Sequence, residues 1–166
     1  EMPIEILPFE EAHAEAVQHL ITSIQKDEFG IDISLDDQPD LQDIISFYRK
    51  GKGNFWVAVS SGDIVGTIAF IDIGNRQVAL RKMFVKEAFR GKQYGVAGHL
   101  LGHVFDYVKQ KALSQILLGT TDKFIAAHRF YEKNGFDLID VKDLPDCFPR
   151  MKVDTRFYVK SFEEDN

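Results

Sequence analysis

Leu80-Arg81-Lys82-Met83-Phe84-Val85, followed shortly by Arg90-Gly91-Lys92-Gln93-Tyr94-Gly95-Val96-Ala97, reads as a strand that runs through a basic, glycine-bearing turn into a helix. A helix start leaves its first backbone N–H groups without intrahelical acceptors and points the positive end of its dipole outward, which suits a phosphate anion. Gly91 and Gly95 permit close approach or φ > 0. Arg90 and Lys92 add the charge a diphosphate needs. The same residues also read as an ordinary strand-to-helix turn with solvated charges, so the segment alone leaves both readings open.

Upstream of this segment, 55–59, 64–73 and 78–85 are rich in β-branched and aromatic residues, and Ser61-Gly62-Asp63 and Gly74-Asn75 separate them. This predicts a three-stranded antiparallel meander. Downstream, Ala97, Leu100, Leu101, Val104, Phe105, Val108 and Ala112 keep helical spacing, and Ile116 to Leu118 read as a short buried strand. Asp122 is placed to cap a helix from Lys123 to about Asn134, with Gly135 as its left-handed stop. Residues 136–141 and 151–162 read as two closing strands. At the other end, Ile4 to Leu7 predict a strand, Phe9 to Glu28 one amphipathic helix stopped by Gly30, and Leu41 to Tyr48 a second, short helix. The order is β, two helices, three strands, helix, strand, helix, two strands. The expected class is α+β (mixed α/β), in a single domain over 2–162, with Glu163-Glu164-Asp165-Asn166 as a disordered acidic tail.

Length and composition narrow the function classes. A chain of 166 residues with 45% apolar and 28% charged side chains suits one globular domain with a sizeable core, and 14 Phe can fill it without a metal or disulfide staple. Net charge is −6, and Lys and Arg form no run, which argues against a nucleic-acid groove. No stretch approaches the roughly 20 apolar residues of a membrane span. One cysteine, Cys147, fits a reducing compartment. The first residues lack the basic and apolar regions of a secretory signal, so the expected location is the cytoplasm.

A second segment, Ala127-His128-Arg129-Phe130-Tyr131-Glu132-Lys133-Asn134-Gly135-Phe136, follows the turn by about 30 residues. Together with Arg90-Gly91-Lys92-Gln93-Tyr94-Gly95 and the element order, it resembles the GCN5-related N-acetyltransferase (GNAT) family. The resemblance implies a central, mostly antiparallel twisted sheet of about seven strands with helices on both faces, and acetyl-CoA as co-substrate. It implies that Met83, Phe84 and Val85 hold the pantetheine arm through main-chain groups, and that Arg90, Gly91, Lys92, Gln93, Tyr94, Gly95 and Val96 hold the pyrophosphate. It gives Tyr131 the role of general acid toward the departing thiolate, a step a nearby hydroxyl can perform. Three positions depart from the family pattern. Gln93 replaces a signature glycine, which is tolerable if it keeps φ < 0. Gly119 stands where some members carry a basic glutamate, and Phe124 where many have an asparagine.

Glu28, at the end of the first helix, is the candidate general base or acceptor-binding residue, against the plainer reading of a solvated helix end. A chain of waters is an equal alternative, and Asp122 reads as a cap rather than a base. His99 and His103 share a helix face near Asp106 but lack a third ligand, so no metal is expected. His128 reads as an ordinary helical histidine, and nothing in the sequence sets a base beside Cys147. The expected activity is acetyl transfer to a primary amine, on a small molecule or a peptide, by direct attack in a ternary complex. The alternatives are a catalytically silent CoA-binding sensor and an acetyltransferase acting on protein N-termini or lysines. A homodimer is implied by the resemblance alone.

Overall fold

The computed structural model describes residues 3–163. Met2, the first residue of the expected domain, and Glu164-Asp165-Asn166 of the expected tail lie outside the described residues, while Glu163 is exposed. Among the described residues seven strands form one sheet: β1 (Glu5–Pro8), β2 (Asn54–Ser60), β3 (Asp63–Gly74), β4 (Gln77–Val85), β5 (Gln115–Thr120), β6 (Asp137–Ile139) and β7 (Arg156–Ser161). Their order is β1-β2-β3-β4-β5-β7-β6, with β4–β5 the parallel pair and the others antiparallel.

Period-two alternation gives the sheet two apolar faces. Trp56, Ala58, Ile68, Phe70, Val78 and Leu80 lie under α4 (Val96–Gln110), which contributes Val96, Leu100, Leu101, Val104 and Val108, and under α5 (Ile125–Lys133), which contributes Tyr131. Phe55, Val57 and Ala69 face the other way, against Val17 and Ile21 of α1 (Ala14–Ser23), Leu41 of α2 (Pro39–Gln42), and Ile44 and Tyr48 of α3 (Ile44–Tyr48). The expected sheet with helices on both faces is what the chain forms.

Two irregularities position everything that follows. Strands β4 and β5 pair only at Gln77–Gln115, Val78–Ile116 and Ala79–Leu117, whereas β5 goes on pairing with β7 up to Thr120–Arg156. Beyond Ala79 the two strands part. The second irregularity lies in β4 itself, where Thr67 pairs with Phe84 and Ala69 with Arg81, so Lys82 and Met83 share one place opposite Ile68. Lys82 takes φ +54 there. Such a bulge bends a strand and increases its local twist, which carries the end of β4 away from β5.

The helical periodicity conceals three breaks. The expected helix from Phe9 to Glu28 is a 3₁₀ turn (Glu11–His13), α1, and a π-helical turn (Ile24–Glu28). The expected second helix is divided at Asp43, whose φ of −148° and ψ of 70° leave the helical region. Helix α5 starts at Ile125 after Phe124, with no side-chain cap. Asp122 instead accepts a hydrogen bond from the Thr155 hydroxyl (3.1 Å), because the chain entering β7 passes beside it. The left-handed stop at Gly135 (φ +88) is as expected.

Candidate functional site

The parting strands open a cleft of about 890 Å³. Leu80 to Val85 form one wall, and Leu118 to Thr121 with the first turns of α5 form the other. The basic turn and the start of α4 close one end. The π-helical turn, Ile31, Ile33, Met151 and Asp154 close the other.

At the α4 end, the Tyr94 and Gly95 N–H groups both donate to the Gly91 carbonyl (3.3 and 3.2 Å), forming the turn that launches the helix. Gly91 (φ +106) and Gly95 (φ +62) occupy the left-handed region, and open space or a flexible side chain surrounds each, so backbone conformation rather than crowding demands glycine. Among the described residues, the amides of Gly91, Lys92 and Gln93 in the turn and of Val96, Ala97 and Gly98 at the helix start have no backbone acceptor, and all of these residues but Gln93 line the cleft. Gln93 keeps negative φ. Gln93 and Tyr94 do not line the cleft, and the Tyr94 ring packs on Phe89 with centroids 5.1 Å apart.

Arg90 is a brace as well as a charge. Its Nε donates to the Val85 carbonyl (2.9 Å), its guanidinium lies 6.0 Å from the Phe29 ring centre, and both of its Nη atoms pair with the Glu28 carboxylate, Nη2 to Oε2 at 2.8 Å. Glu28 is therefore engaged with Arg90 and lies outside the lining of the cleft. Phe124 packs edge-on against Phe29 (4.7 Å) and Phe84 (6.1 Å), so an apolar ring stands between the two walls.

Tyr131 is 5% exposed, on the α5 face that meets the sheet, and contacts Phe130, Phe136 and Tyr158. Its hydroxyl makes no hydrogen bond among the described residues, and no fully enclosed side-chain polar atom there lacks a partner. The hydroxyl thus opens to the cleft that Tyr131 lines. Burial raises it well above the ordinary tyrosine range, so at neutral pH it is a proton donor.

The end opposite α4 holds a buried polar network that the sequence reading missed. Lys82 Nζ donates to Gln38 Oε1 and lies 3.6 Å from Asp40 Oδ2, to which the Tyr48 hydroxyl also donates. Gln25 and Gln38 exchange hydrogen bonds of 3.1 and 2.9 Å. Burial pulls the Lys82 ammonium down to about 8, with Asp40 acting in the opposite direction. Asp154 is the other overlooked member. It is buried, its Oδ2 accepts from the Met151 N–H (2.9 Å), and burial raises its carboxyl above the ordinary range while that N–H, Arg81, Arg150 and Lys82 oppose the rise.

A diphosphate fits the open amides of Val96, Ala97 and Gly98 beside Arg90 and Lys92, and an extended amide-bearing arm fits a gap flanked by strand edges that do not pair with each other. No cluster of three metal-ligating side chains occurs among the described residues; His99 and His103 are exposed on α4. His128 Nε2 lies 3.0 Å from the Thr121 carbonyl, and Cys147 is exposed. No helix among the described residues is long and apolar enough to cross a membrane.

Known proteins share this arrangement. N-acetylaspartate synthetase of Xenopus tropicalis is 42% identical over 106 residues, covering 61% of this chain and 38% of its own. The chain spans only 34% to 38% of the length of the N-acetylaspartate synthetases it matches. A crystal structure of a GNAT-family acetyltransferase from Staphylococcus aureus Mu50 superposes with a TM-score of 0.93 at 41% identity, covering 97% of this chain and 100% of the other. The PaiA N-acetyltransferase of Thermoplasma acidophilum, solved in complex with coenzyme A, shares the fold, with a TM-score of 0.74 at 18% identity over 97% of this chain and 100% of its own. The sequence pattern of the acetyltransferase (GNAT) family matches residues 18–136, a span that takes in the bulged strand, the basic turn and Tyr131. With the parted strands, the glycine-launched helix and that match in agreement, the chain belongs to the acetyltransferase (GNAT) family.

Proposed function

We propose that this chain is an N-acetyltransferase that uses acetyl-CoA as co-substrate and transfers its acetyl group to a primary amine by direct attack. One observation carries the reading: the gap between β4 and β5 leads from the open amides of Val96, Ala97 and Gly98 to the Tyr131 hydroxyl within one cleft. The pantetheine arm lies along Met83, Phe84 and Val85, bonded through main-chain groups. The diphosphate rests on the α4 start, with Arg90 and Lys92 supplying charge and Gly91 and Gly95 shaping the turn; Gln93 and Tyr94 contribute through that shape. Glu28 acts by holding Arg90 in place.

The amine nitrogen attacks the thioester carbonyl carbon, the C–S bond breaks, and Tyr131 gives the sulfur a proton. A hydroxyl held neutral by burial suits this work, because proton transfer to a leaving group needs a donor at the reaction pH. The acceptor end is walled by the π-helical turn, the Lys82 network and the Met151–Asp154 turn, which favours a small amine over a protein chain. The likeness to N-acetylaspartate synthetases supports an acceptor that carries a carboxylate.

Calorimetry with acetyl-CoA and initial rates over an amine panel test the reading. Tyr131→Phe should lower kcat by about 10²-fold or more while leaving acetyl-CoA affinity unchanged. Failure of the wild type to bind acetyl-CoA at millimolar concentration ends the reading.

A further inference from the structure

Two charged groups at the acceptor end play no part in gripping the acyl donor. Arg81, on β4, is half-buried and lines the cleft, and its Nη2 donates to the Met151 thioether at 2.9 Å. No carboxylate among the described residues lies within ion-pair distance of it. A thioether is a weak acceptor, and guanidinium carries five N–H donors in a planar fork made for an anion. The neighbouring cation, Lys82, is by contrast already engaged by Gln38 and Asp40.

The second group is Asp154. A side chain begun at Gly119 would bring its Cβ within 2.6 Å of Asp154 Oδ2, so the space above that glycine is taken by this carboxylate. The turn before β7 thus delivers an acid to the place where β5 offers none. Oδ2 is held by the Met151 N–H; Oδ1 has no partner among the described residues and, since no enclosed polar side-chain atom there is orphaned, it opens to the cleft. Met151 bonds both groups, its amide to Asp154 and its sulfur to Arg81, and so fixes a cation and an anion side by side.

We propose that Arg81 and Asp154 form the subsite for a free α-amino acid acceptor, Arg81 pairing with its carboxylate and Asp154 receiving its ammonium and taking one proton from it. This rests on the acetyl-transfer reading and names the substrate class. The ammonium loses one proton to Asp154, and the freed lone pair forms the C–N bond as the C–S bond breaks. The sulfur takes its proton from Tyr131, the amide nitrogen's surplus proton returns to Tyr131 through water, and Asp154 releases its own to solvent. Arg81, Lys82 and Arg150 face Asp154 and favour its ionised form, whereas burial favours the neutral one, which suits a group that must gain and lose a proton. A polyamine would set its second cation against Arg81 and Lys82, and a peptide N-terminus would bring no α-carboxylate.

The test uses the full chain and acetyl-CoA with the twenty free L-amino acids, their decarboxylated amines, spermidine and a short peptide. At least one amino acid should exceed its decarboxylated amine in kcat/KM by about 100-fold, the range expected for losing a charged hydrogen-bonded partner. Arg81→Gln should raise KM for that amino acid by about 10-fold or more, and should weaken its calorimetric binding to the CoA-loaded protein to match, without changing acetyl-CoA affinity. Asp154→Asn should lower kcat by about 10²-fold and remove the acid limb of the kcat/KM profile, with melting temperatures checking that both variants fold. If the simple amines, spermidine or the peptide are used as well as the amino acids, or if Arg81→Gln leaves amino-acid KM and binding unaltered, the subsite is wrong. Failure of acetyl-CoA itself to bind removes the acetyl-transfer reading and the subsite together, whereas binding without amino-acid use removes the subsite alone.

Discussion

Lys82 combines two costs at one position: a left-handed backbone (φ +54) in a residue with a β-carbon, and a charged side chain that is 5% exposed. Its carbonyl accepts from the Thr67 hydroxyl (2.7 Å) and its Nζ is tied to Gln38, so both ends of the residue are fixed. Burial moves the ammonium from 10.5 to about 8. Below about pH 8 the folded protein bears the full penalty of the buried charge. Between about 8 and 10.5 the unfolded chain holds a proton that the folded chain has released, so stability rises with pH across that window, by up to roughly 3 kcal/mol. Urea unfolding of wild type and Lys82→Met checks this: whatever the difference at pH 7, it should move in favour of wild type by pH 10. An unchanged difference would mean that the ammonium is not perturbed.

Among the elements, α4 and the π-helical turn make opposite demands on sequence. The αL start of α4 needs glycine, so Gly95→Ala should cost about 1 kcal/mol in stability and weaken acetyl-CoA binding, as measured by calorimetry. The Glu28–Arg90 pair is partly exposed, with side chains 23% and 35% accessible, so Glu28→Ala should change stability by less than about 1 kcal/mol. It should leave kcat nearly intact and weaken acetyl-CoA; a fall of 10²-fold in kcat would instead restore Glu28 as the base. The glycine turn was legible because it is local, glycines set at fixed offsets from a helix start, whereas the part given to Tyr131 came through the resemblance. The π-helical turn was not, because Ile21, Ile24 and Ile31 keep an apolar rhythm that does not reveal one extra residue in a turn. Asp122 looked like a cap from its place before α5, and only the approach of Thr155 gives it another partner. Asp154 had no sequence signal beyond the bare Gly119, since the acid arrives from a turn distant in the chain.

For the whole molecule, the succession of elements and the α+β class were readable from alternation and helical spacing, whereas the sheet with helices on both faces came through the resemblance; the parting of β4 from β5 shows in their short pairing. That parting makes a prediction for hydrogen exchange. Amides of β4 beyond Ala79 that face the gap should exchange faster than those paired with β5 at Gln77 to Ala79, and acetyl-CoA should slow them selectively. Equal protection along the strand without acetyl-CoA would argue that the gap closes in solution. The bulge at Lys82 and Met83 also bears on how such a site would respond to mutation. On the proposed reading, whatever lies between those strands is read through peptide groups, which every residue type except proline presents alike. Exchanging Met83, Phe84 or Val85 for other strand-forming residues would leave that lettering intact, so a substitution scan would pass over a surface that a single inserted proline would erase.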